Sequence, residues 1–459
     1  MNAPVLRVVI LAAGQGKRMQ STRPKVLHRL AGQPLLAYVL ANAAALQADH
    51  IQIVHGHAGE QVRAAFADAA VDWVQQQPPR GTGDAVRLAL AAPVASDEEV
   101  TLILYGDVPL LQPGTLQKLV DEARNGAIGL LTQTRETPDG YGRIVRNAQG
   151  SVLGIVEHKD ASTEQRAIRE INTGILAASS TRLRQWVHAL DSNNAQGEFY
   201  LTDIVGLAVR DGVPVHTHLP QHPWEADGIN DGAQLAALER CYQRFLADAL
   251  LAKGTRLADP ARVDVRGTLL CEADVEIDVG CVFEGEVSLG AGVVVEAYCV
   301  LRNTHVGAGS HIRAFSHLDG ARIADRCVIG PYARLRPGAE LDDEVHIGNF
   351  VEVKASHIGP RSKANHLSYV GDASVGSGVN IGAGTITCNF DGANKHRTVI
   401  GDGAFIGSAS QLVAPVTVGA GATIGAGTTL VSDAPADQLT LARAPQRVIS
   451  RWKRPQKKP

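Results

Sequence analysis

Aliphatic residues recur every six positions through the second half of the chain, and this period limits the fold more than any other feature. Ile400, Ile406, Leu412, Val418, Ile424 and Leu430 are evenly spaced, and Ile400, Ile406, Val418 and Ile424 are each followed directly by glycine. The same step runs through Val306, Ile312 and Leu318, then from Ile323 through Ile329, Leu335, Leu341 and Ile347 to Val353, and again from Val375 to Ile381. Six residues match neither the turn of an α-helix nor the two-residue alternation of a long strand. They are the period of a hexapeptide β-helix, in which three short strands close one triangular coil. Residues three steps apart then stack. Ile400 is predicted to sit over Val418, Ile406 over Ile424 and Leu412 over Leu430, separated by about 4.8 Å. A flexible glycine-rich linker would not place aliphatic side chains so regularly; the glycines instead supply the corners. The period breaks between Thr387 and Ile400, where CNFDGANKHRTV inserts about a dozen residues and predicts a loop leaving the prism. Open ends and flat flanks predict self-association.

The first half is built differently. Residues 5 to about 232 alternate β-branched runs with Ala/Leu-rich segments: Val8 to Leu11 leads into a glycine-rich turn, Ile51 to Val54 into Gly56, and Val100 to Tyr105 into Gly106 and Asp107. This is the pattern of a parallel α/β sheet, whose ligands gather at the carboxyl ends of the strands. Between the halves, Ala233 to Lys253 reads as one amphipathic helix with Leu235, Leu238, Tyr242, Phe245 and Leu246 on one face. The predicted organisation is therefore an α/β domain over 1–232, a linker helix over 233–253 and a β-helix over 254–459 with a terminal tail.

Composition narrows the function. With 45% hydrophobic and 20% charged residues and a net charge of -3, the chain is neither disordered nor a nucleic-acid binder by charge. Its one basic cluster, Arg447 to Lys458, reads as a solvated end. No apolar run approaches the roughly 20 residues of a membrane span, and the stretch Val8 to Ala13 is too short for a secretory signal. No stable membrane insertion is expected, and the reading is cytoplasmic. The six cysteines are scattered without a CxxC pair, which indicates neither a zinc site nor a redox motif.

Chemistry concentrates in two places. LAAGQGKRM at 11–19, followed by PKVL at 24–27, sets a glycine loop after a strand with Arg18 and Lys25 able to neutralise a triphosphate. The loop is not a Walker A motif and lacks the third glycine of the dinucleotide fingerprint. YGDVPL at 105–110 puts Asp107 just past a buried strand, suited to Mg²⁺ bridging phosphate oxygens. Each signal alone also fits an ordinary turn. On the solenoid, RLRPG (334–338), EVK (352–354), NHLSYVGD (365–372) and NIGAGTITCN (380–389) gather polar and basic groups. Among them His366 is the side chain able to act as a base near neutral pH.

Taken together with GTG (81–83), GYGRI (140–144), EHKD (157–160), NTG (172–174) and EADGIN (225–230), these segments resemble the GlmU family over essentially the whole chain. Its members fuse an N-acetylglucosamine-1-phosphate uridyltransferase to a glucosamine-1-phosphate N-acetyltransferase. The resemblance implies a Rossmann-like nucleotidyltransferase domain followed by a left-handed parallel β-helix, making UDP-N-acetylglucosamine for cell-wall peptidoglycan and lipopolysaccharide. It also implies that Leu11, Ala12, Ala13, Gly14, Arg18, Lys25, Gln76, Gly81, Thr82, Tyr105 and Gly106 meet the nucleotide, with the Gln76 amide facing the uracil edge. Gly142, Glu157 and Asn172 would bind the sugar, and Asp107 and Asn230 would ligate Mg²⁺. Arg336, Lys354, Tyr369 and Asn380 would hold glucosamine 1-phosphate; Ala383, Asn389, Phe390, Ser408, Ala426 and Arg443 would hold acetyl-CoA. A homotrimer sharing the second site between neighbouring prisms is implied too. The chain departs from the family at Lys17, usually Thr, and at Phe390, often Tyr.

Two other readings fit the same layout: a nucleotidyltransferase for another sugar phosphate whose β-helix only oligomerises, and a scaffold that has lost catalysis. The first predicts no acceptor cluster on the solenoid, yet Arg336, Lys354, His366 and Tyr369 are present. The second predicts decay of Lys25, Asp107, Asn230 and His366, and all four are intact.

Overall fold

The apolar runs of the first half become one nine-stranded sheet in the computed structural model, which describes residues 5–455 apart from 15, 57 and 92. Its strands are β1 (Leu6–Ala12), β2 (His50–His55), β3 (Asp72–Gln75), β4 (Val100–Tyr105), β5 (Ile128–Thr134), β6 (Arg143–Arg146), β7 (Val152–Val156), β8 (Glu170–Ser179) and β9 (Val215–His218). Their order is β9-β5-β8-β4-β1-β2-β3, with β6 pairing both β8 and β7. Central β1 runs parallel to β4 and β2, and Val8, Val9 and Ile10 are fully buried. Burial on both faces explains why these strands read as continuous apolar runs.

The sheet is mixed rather than parallel throughout. β8 enters antiparallel between β4 and β5. Its buried Ile175, Leu176 and Ala177 look in sequence like any other two-face-buried strand, so direction was not readable from composition.

The contacts divide the chain into two compact units, Met1–Tyr242 and Gln243–Pro459. One helix, Gly232–Ala252, contains the amphipathic stretch. In the first unit Leu238, with Leu235 and Tyr242, packs around Leu30, Leu35, Leu110 and Ile229. In the second, Ala247 and Leu250 join the solenoid core, and the Gln243 amide both donates to Val265 O and accepts from Val265 N, at 2.9 and 2.7 Å.

The second unit is a left-handed parallel β-helix. The predicted stacking is met residue by residue: Ile400 pairs with Val418, Ile406 with Ile424 and Leu412 with Leu430. All six are buried, forming an aliphatic column inside the prism. The slips in the sequence period appear as shorter coils, for Val306 pairs with Ile323 and Ile358 with Val375. At the insertion, Ala373 pairs with Thr398 and Asn380 with Phe405. The offset there is 25 residues, so the loop adds seven to a coil, fewer than the dozen expected, because Thr398–Ile400 already rejoins the ladder as a strand. All six cysteines are free, and Cys281, Cys299 and Cys327 are buried. Burial pushes the Cys281 thiol up to about 11, as expected of inert core thiols.

Candidate active sites

The first site forms where β1 and β4 end side by side. The pairing of Leu11 with Tyr105 sets Asp107 beside the glycine loop, and Gly106 N donates to Leu11 O at 2.9 Å. A Cβ on Gly106 would lie 2.9 Å from Val26 Cγ1, so only glycine lets the two segments approach without displacing Val26. A cleft of about 240 Å³ opens there. Leu11, Ala12, Ala13, Gly14, Lys25, Gln76, Gly81, Thr82, Tyr105 and Asp107 all line it. Arg18 is exposed on the turn Lys17–Met19 and does not line the cleft. The Lys17 side chain lies outside the described residues, as does the tail beyond Pro455. Pro79, Ala85 and Glu198 also line the cleft; no motif marked them.

Lys25 Nζ donates to Asp107 Oδ2 and, at 3.1 Å, to Asn230 Oδ1. The backbone N–H of Ile229 donates to Asp107 O at 3.0 Å, which ties the two loops together. Two oxygens from distant parts of the sequence thus already converge on one positive charge. That donor set, one carboxylate and one amide oxygen, suits Mg²⁺, which keeps several waters and substrate oxygens and needs few protein ligands. Among the described residues no group of three or more His, Cys, Asp and Glu side chains is placed to hold a metal.

A Cβ on Gly142 would stand 2.9 Å from Ile155 Cγ2, 3.4 Å from Glu157 Oε1 and 3.6 Å from Asn172 Cβ, so the three predicted sugar residues converge. Glu157 Oε1 accepts from the Thr202 hydroxyl at 3.1 Å. Burial pushes its carboxyl above the ordinary glutamate range, with the charges of Asp203 and Asp160 adding to the effect and Thr202 opposing it.

In the second unit, consecutive coils bring Arg336, Lys354 and Tyr369 together. Arg336 Nη1 pairs with Glu352 Oε1 at 2.8 Å and Lys354 Nζ with Asp372 Oδ2 at 3.5 Å. The Asn389 amide donates to Asp372 Oδ2 and to the Tyr369 hydroxyl, the latter at 3.3 Å. Asn389 therefore stands with the cationic cluster, as does Lys395 from the inserted loop. The hydrogen bond and charge of Lys354 pull the Lys395 ammonium below the usual lysine range. Sequence patterning gave no sign of Lys395, because an irregular loop has no period to read.

His366 ends the strand Lys363–His366, one corner earlier; Leu367 and Asp372, both with positive φ, mark the two turns. The ring nitrogen Nδ1 lies 2.9 Å from Asn349 Oδ1. An amide oxygen accepts, so Nδ1 carries the proton and Nε2 keeps its lone pair. Asn349, unmarked in the sequence, is thus the orienting partner. Asn380 pairs with Lys363 on the His366 side rather than joining the arginine and lysine. From His366 a column climbs the prism one coil at a time: Gly384 N donates to His366 O (3.4 Å), Ala409 N to Ala383 O (2.7 Å), Gly427 N to Ser408 O (2.8 Å) and Arg443 Nη1 to Ala426 O (2.8 Å). Ala383, Ser408, Ala426 and Arg443 are thereby aligned. Phe390 is 61% exposed, on the inserted loop.

Comparisons with known proteins match both units of the chain. The MobA-like NTP transferase domain matches residues 8–197, the GMPPB C-terminal domain 265–366, and the bacterial transferase hexapeptide (six repeats) 397–432. A relative from Herminiimonas arsenicoxydans, named Bifunctional protein GlmU, is 56% identical over 452 residues, covering 98% of this chain and 99% of its own length. Relatives of the same name from Bordetella parapertussis and Burkholderia multivorans are 58% and 57% identical, each over 99% of this chain and 100% of their own length. With a nucleotide cleft on an NTP-transferase sheet, an oriented imidazole on a hexapeptide prism and this identity from end to end, the chain belongs to the GlmU family of bifunctional proteins.

Proposed function

We propose that the solenoid unit acetylates glucosamine 1-phosphate from acetyl-CoA and that the α/β unit then transfers uridyl from UTP to the product, releasing pyrophosphate. The observation that carries this reading is the pairing in one chain of two converging oxygens beside a cleft at the strand ends with an imidazole held by an amide oxygen on the prism.

In acetyl transfer, Arg336 and Lys354 clamp the sugar phosphate as fixed cations. His366 Nε2 takes a proton from the substrate ammonium, freeing the nitrogen lone pair to attack the thioester carbonyl, and the coenzyme leaves as its thiolate. Asn349 holds the ring in the productive tautomer. The Ala383, Ser408, Ala426 and Arg443 column lies along the acetyl-CoA path.

In uridyl transfer, Gly142, Glu157 and Asn172 hold the sugar so that its phosphate oxygen lies in line with the α-phosphorus of UTP, and no protein nucleophile is required. Asp107 and Asn230 hold Mg²⁺, which when bound neutralises charge on phosphate oxygens. Lys25 and Arg18 supply further positive charge. Because Glu157 binds its proton more tightly in the folded chain than in the unfolded one, its ionised form works against folding at neutral pH. Stability from this group is greatest at low pH and declines as pH rises through the raised value. Glu157→Gln is therefore expected to raise the melting temperature at pH 8, by less as pH is lowered, and to raise KM for N-acetylglucosamine 1-phosphate. A melting temperature gain that is independent of pH overturns the burial argument.

We further infer a cytoplasmic trimer. UTP and acetyl-CoA are intracellular co-substrates, and no described helix is long and apolar enough to cross a membrane. Asn389 and Phe390 sit at a different corner of the prism from the Ala383 column, and a neighbouring copy would supply them to it. A fragment of residues 243–459 is expected to remain trimeric and release CoA from acetyl-CoA with glucosamine 1-phosphate, since its aliphatic column is self-contained. It should release no pyrophosphate from UTP. A folded fragment that releases no CoA overturns the assignment of acetyl transfer to the solenoid.

A further inference from the structure

Gln76 lines the nucleotide cleft yet is only 4% exposed, and its amide is not free to turn. Nε2 donates to Gly81 O at 2.9 Å and to Asp84 Oδ2 at 3.0 Å. Both amide hydrogens are therefore spent on the protein. Turned over, the amide would point Oε1 at a carbonyl and a carboxylate, three acceptors with no hydrogen among them. The orientation is set by chemistry, and it leaves Oε1 as the group available to a ligand.

Asp84 is itself held. It is 5% exposed on the first turn of the helix Thr82–Ala89 and pairs with Arg87, whose guanidinium lies 5.0 Å over the Phe199 ring. Phe199 is pinned in turn, because its N–H donates to Arg80 O and its carbonyl accepts from Gly83 N, both at 2.9 Å. A chain of contacts thus runs from Phe199 through Arg87 and Asp84 to the Gln76 amide.

We propose that Asp84, braced by Arg87, is the positioning residue that sets which pyrimidine the cleft accepts. The proposal rests on the reading that Gln76 meets the base. Uracil presents an N3–H donor, which an oxygen accepts; cytosine presents a bare N3 acceptor at the same place, which an oxygen repels. A site that leaves a buried polar group facing a like group rejects the wrong ligand strongly. Discrimination here comes from the carboxylate behind Gln76, which denies the amide the flip that would suit cytosine.

The test measures pyrophosphate release from UTP and from CTP at saturating N-acetylglucosamine 1-phosphate, for the full-length parent, Asp84→Asn and Gln76→Ala. An amide at position 84 can face either end of Gln76 and removes the constraint. Asp84→Asn is expected to lower the UTP-to-CTP ratio of kcat/KM by about ten- to a hundred-fold, the value of one hydrogen bond to a charged group. Its KM for the sugar phosphate should stay at the parent value. A purely structural role would slow both nucleotides equally and leave the ratio unchanged, which overturns the proposal. Should Asp84→Asn not fold, Asp84→Ser likewise removes the carboxylate, and an unchanged ratio there has the same force. If Gln76→Ala leaves the ratio intact, the base reading of Gln76 falls; if it collapses the ratio while Asp84→Asn does not, only the role of Asp84 falls.

Discussion

His366→Ala should slow acetyl transfer by about 10²- to 10⁴-fold, the usual effect of removing a general base, while pyrophosphate release from UTP continues at the parent rate. An ammonium has no lone pair with which to attack a thioester, so the reaction waits on a group that takes the proton. Arg336 and Lys354, the proposed clamp on the sugar phosphate, are both cations at neutral pH and cannot act as bases. The Asn349 contact makes Nε2 the basic nitrogen, the one left to take the substrate proton. CoA release by the His366→Ala protein at the parent rate, with glucosamine 1-phosphate saturating, would place the base elsewhere.

Asp107→Asn should remove uridyl transfer by at least about 10²-fold, since a metal ion supplies several kcal/mol of charge stabilisation and each decade of rate is about 1.4 kcal/mol. The substitution keeps the shape of the side chain and loses its charge. It also breaks the ion pair that steadies Lys25, so the Mg²⁺ concentration for half-maximal rate and KM for UTP should both rise. Acetyl transfer should be untouched. Equal loss of both activities in a folded protein sinks the two-site reading.

What could be read beforehand followed from how strictly each structure constrains its sequence. A prism only a few residues across admits an aliphatic side chain at one position in six, so the stacking of Ile400 on Val418 was legible to the residue. The α/β sheet constrains less: strands buried on both faces are apolar whatever their direction, and antiparallel β8 passed unnoticed among parallel neighbours. The nucleotide and sugar sets came from the resemblance motif by motif, and of the nucleotide set all but Arg18 and Gly106 line one cleft. Groups acting through another side chain were not legible. Asn349 behind His366, Asp84 behind Gln76 and Lys395 beside Lys354 belong to no local pattern, and only the fold brings each to its partner.

The column from His366 through Ala383 and Ser408 to Ala426 takes one step per coil, and the Arg443 guanidinium closes it by donating to Ala426 O at 2.8 Å. Three steps of about 4.8 Å make roughly 14 Å from His366 to the carbonyl that holds the guanidinium. The prism is therefore graduated in coils, and distance along this column is counted in backbone turns. Removing one whole coil between Ala383 and Ala426 would shorten the scale by one graduation while leaving every remaining strand correctly paired. Reach along this groove is thus a property of repeat number, which a solenoid can change by duplication or loss without disturbing the residues that do the chemistry.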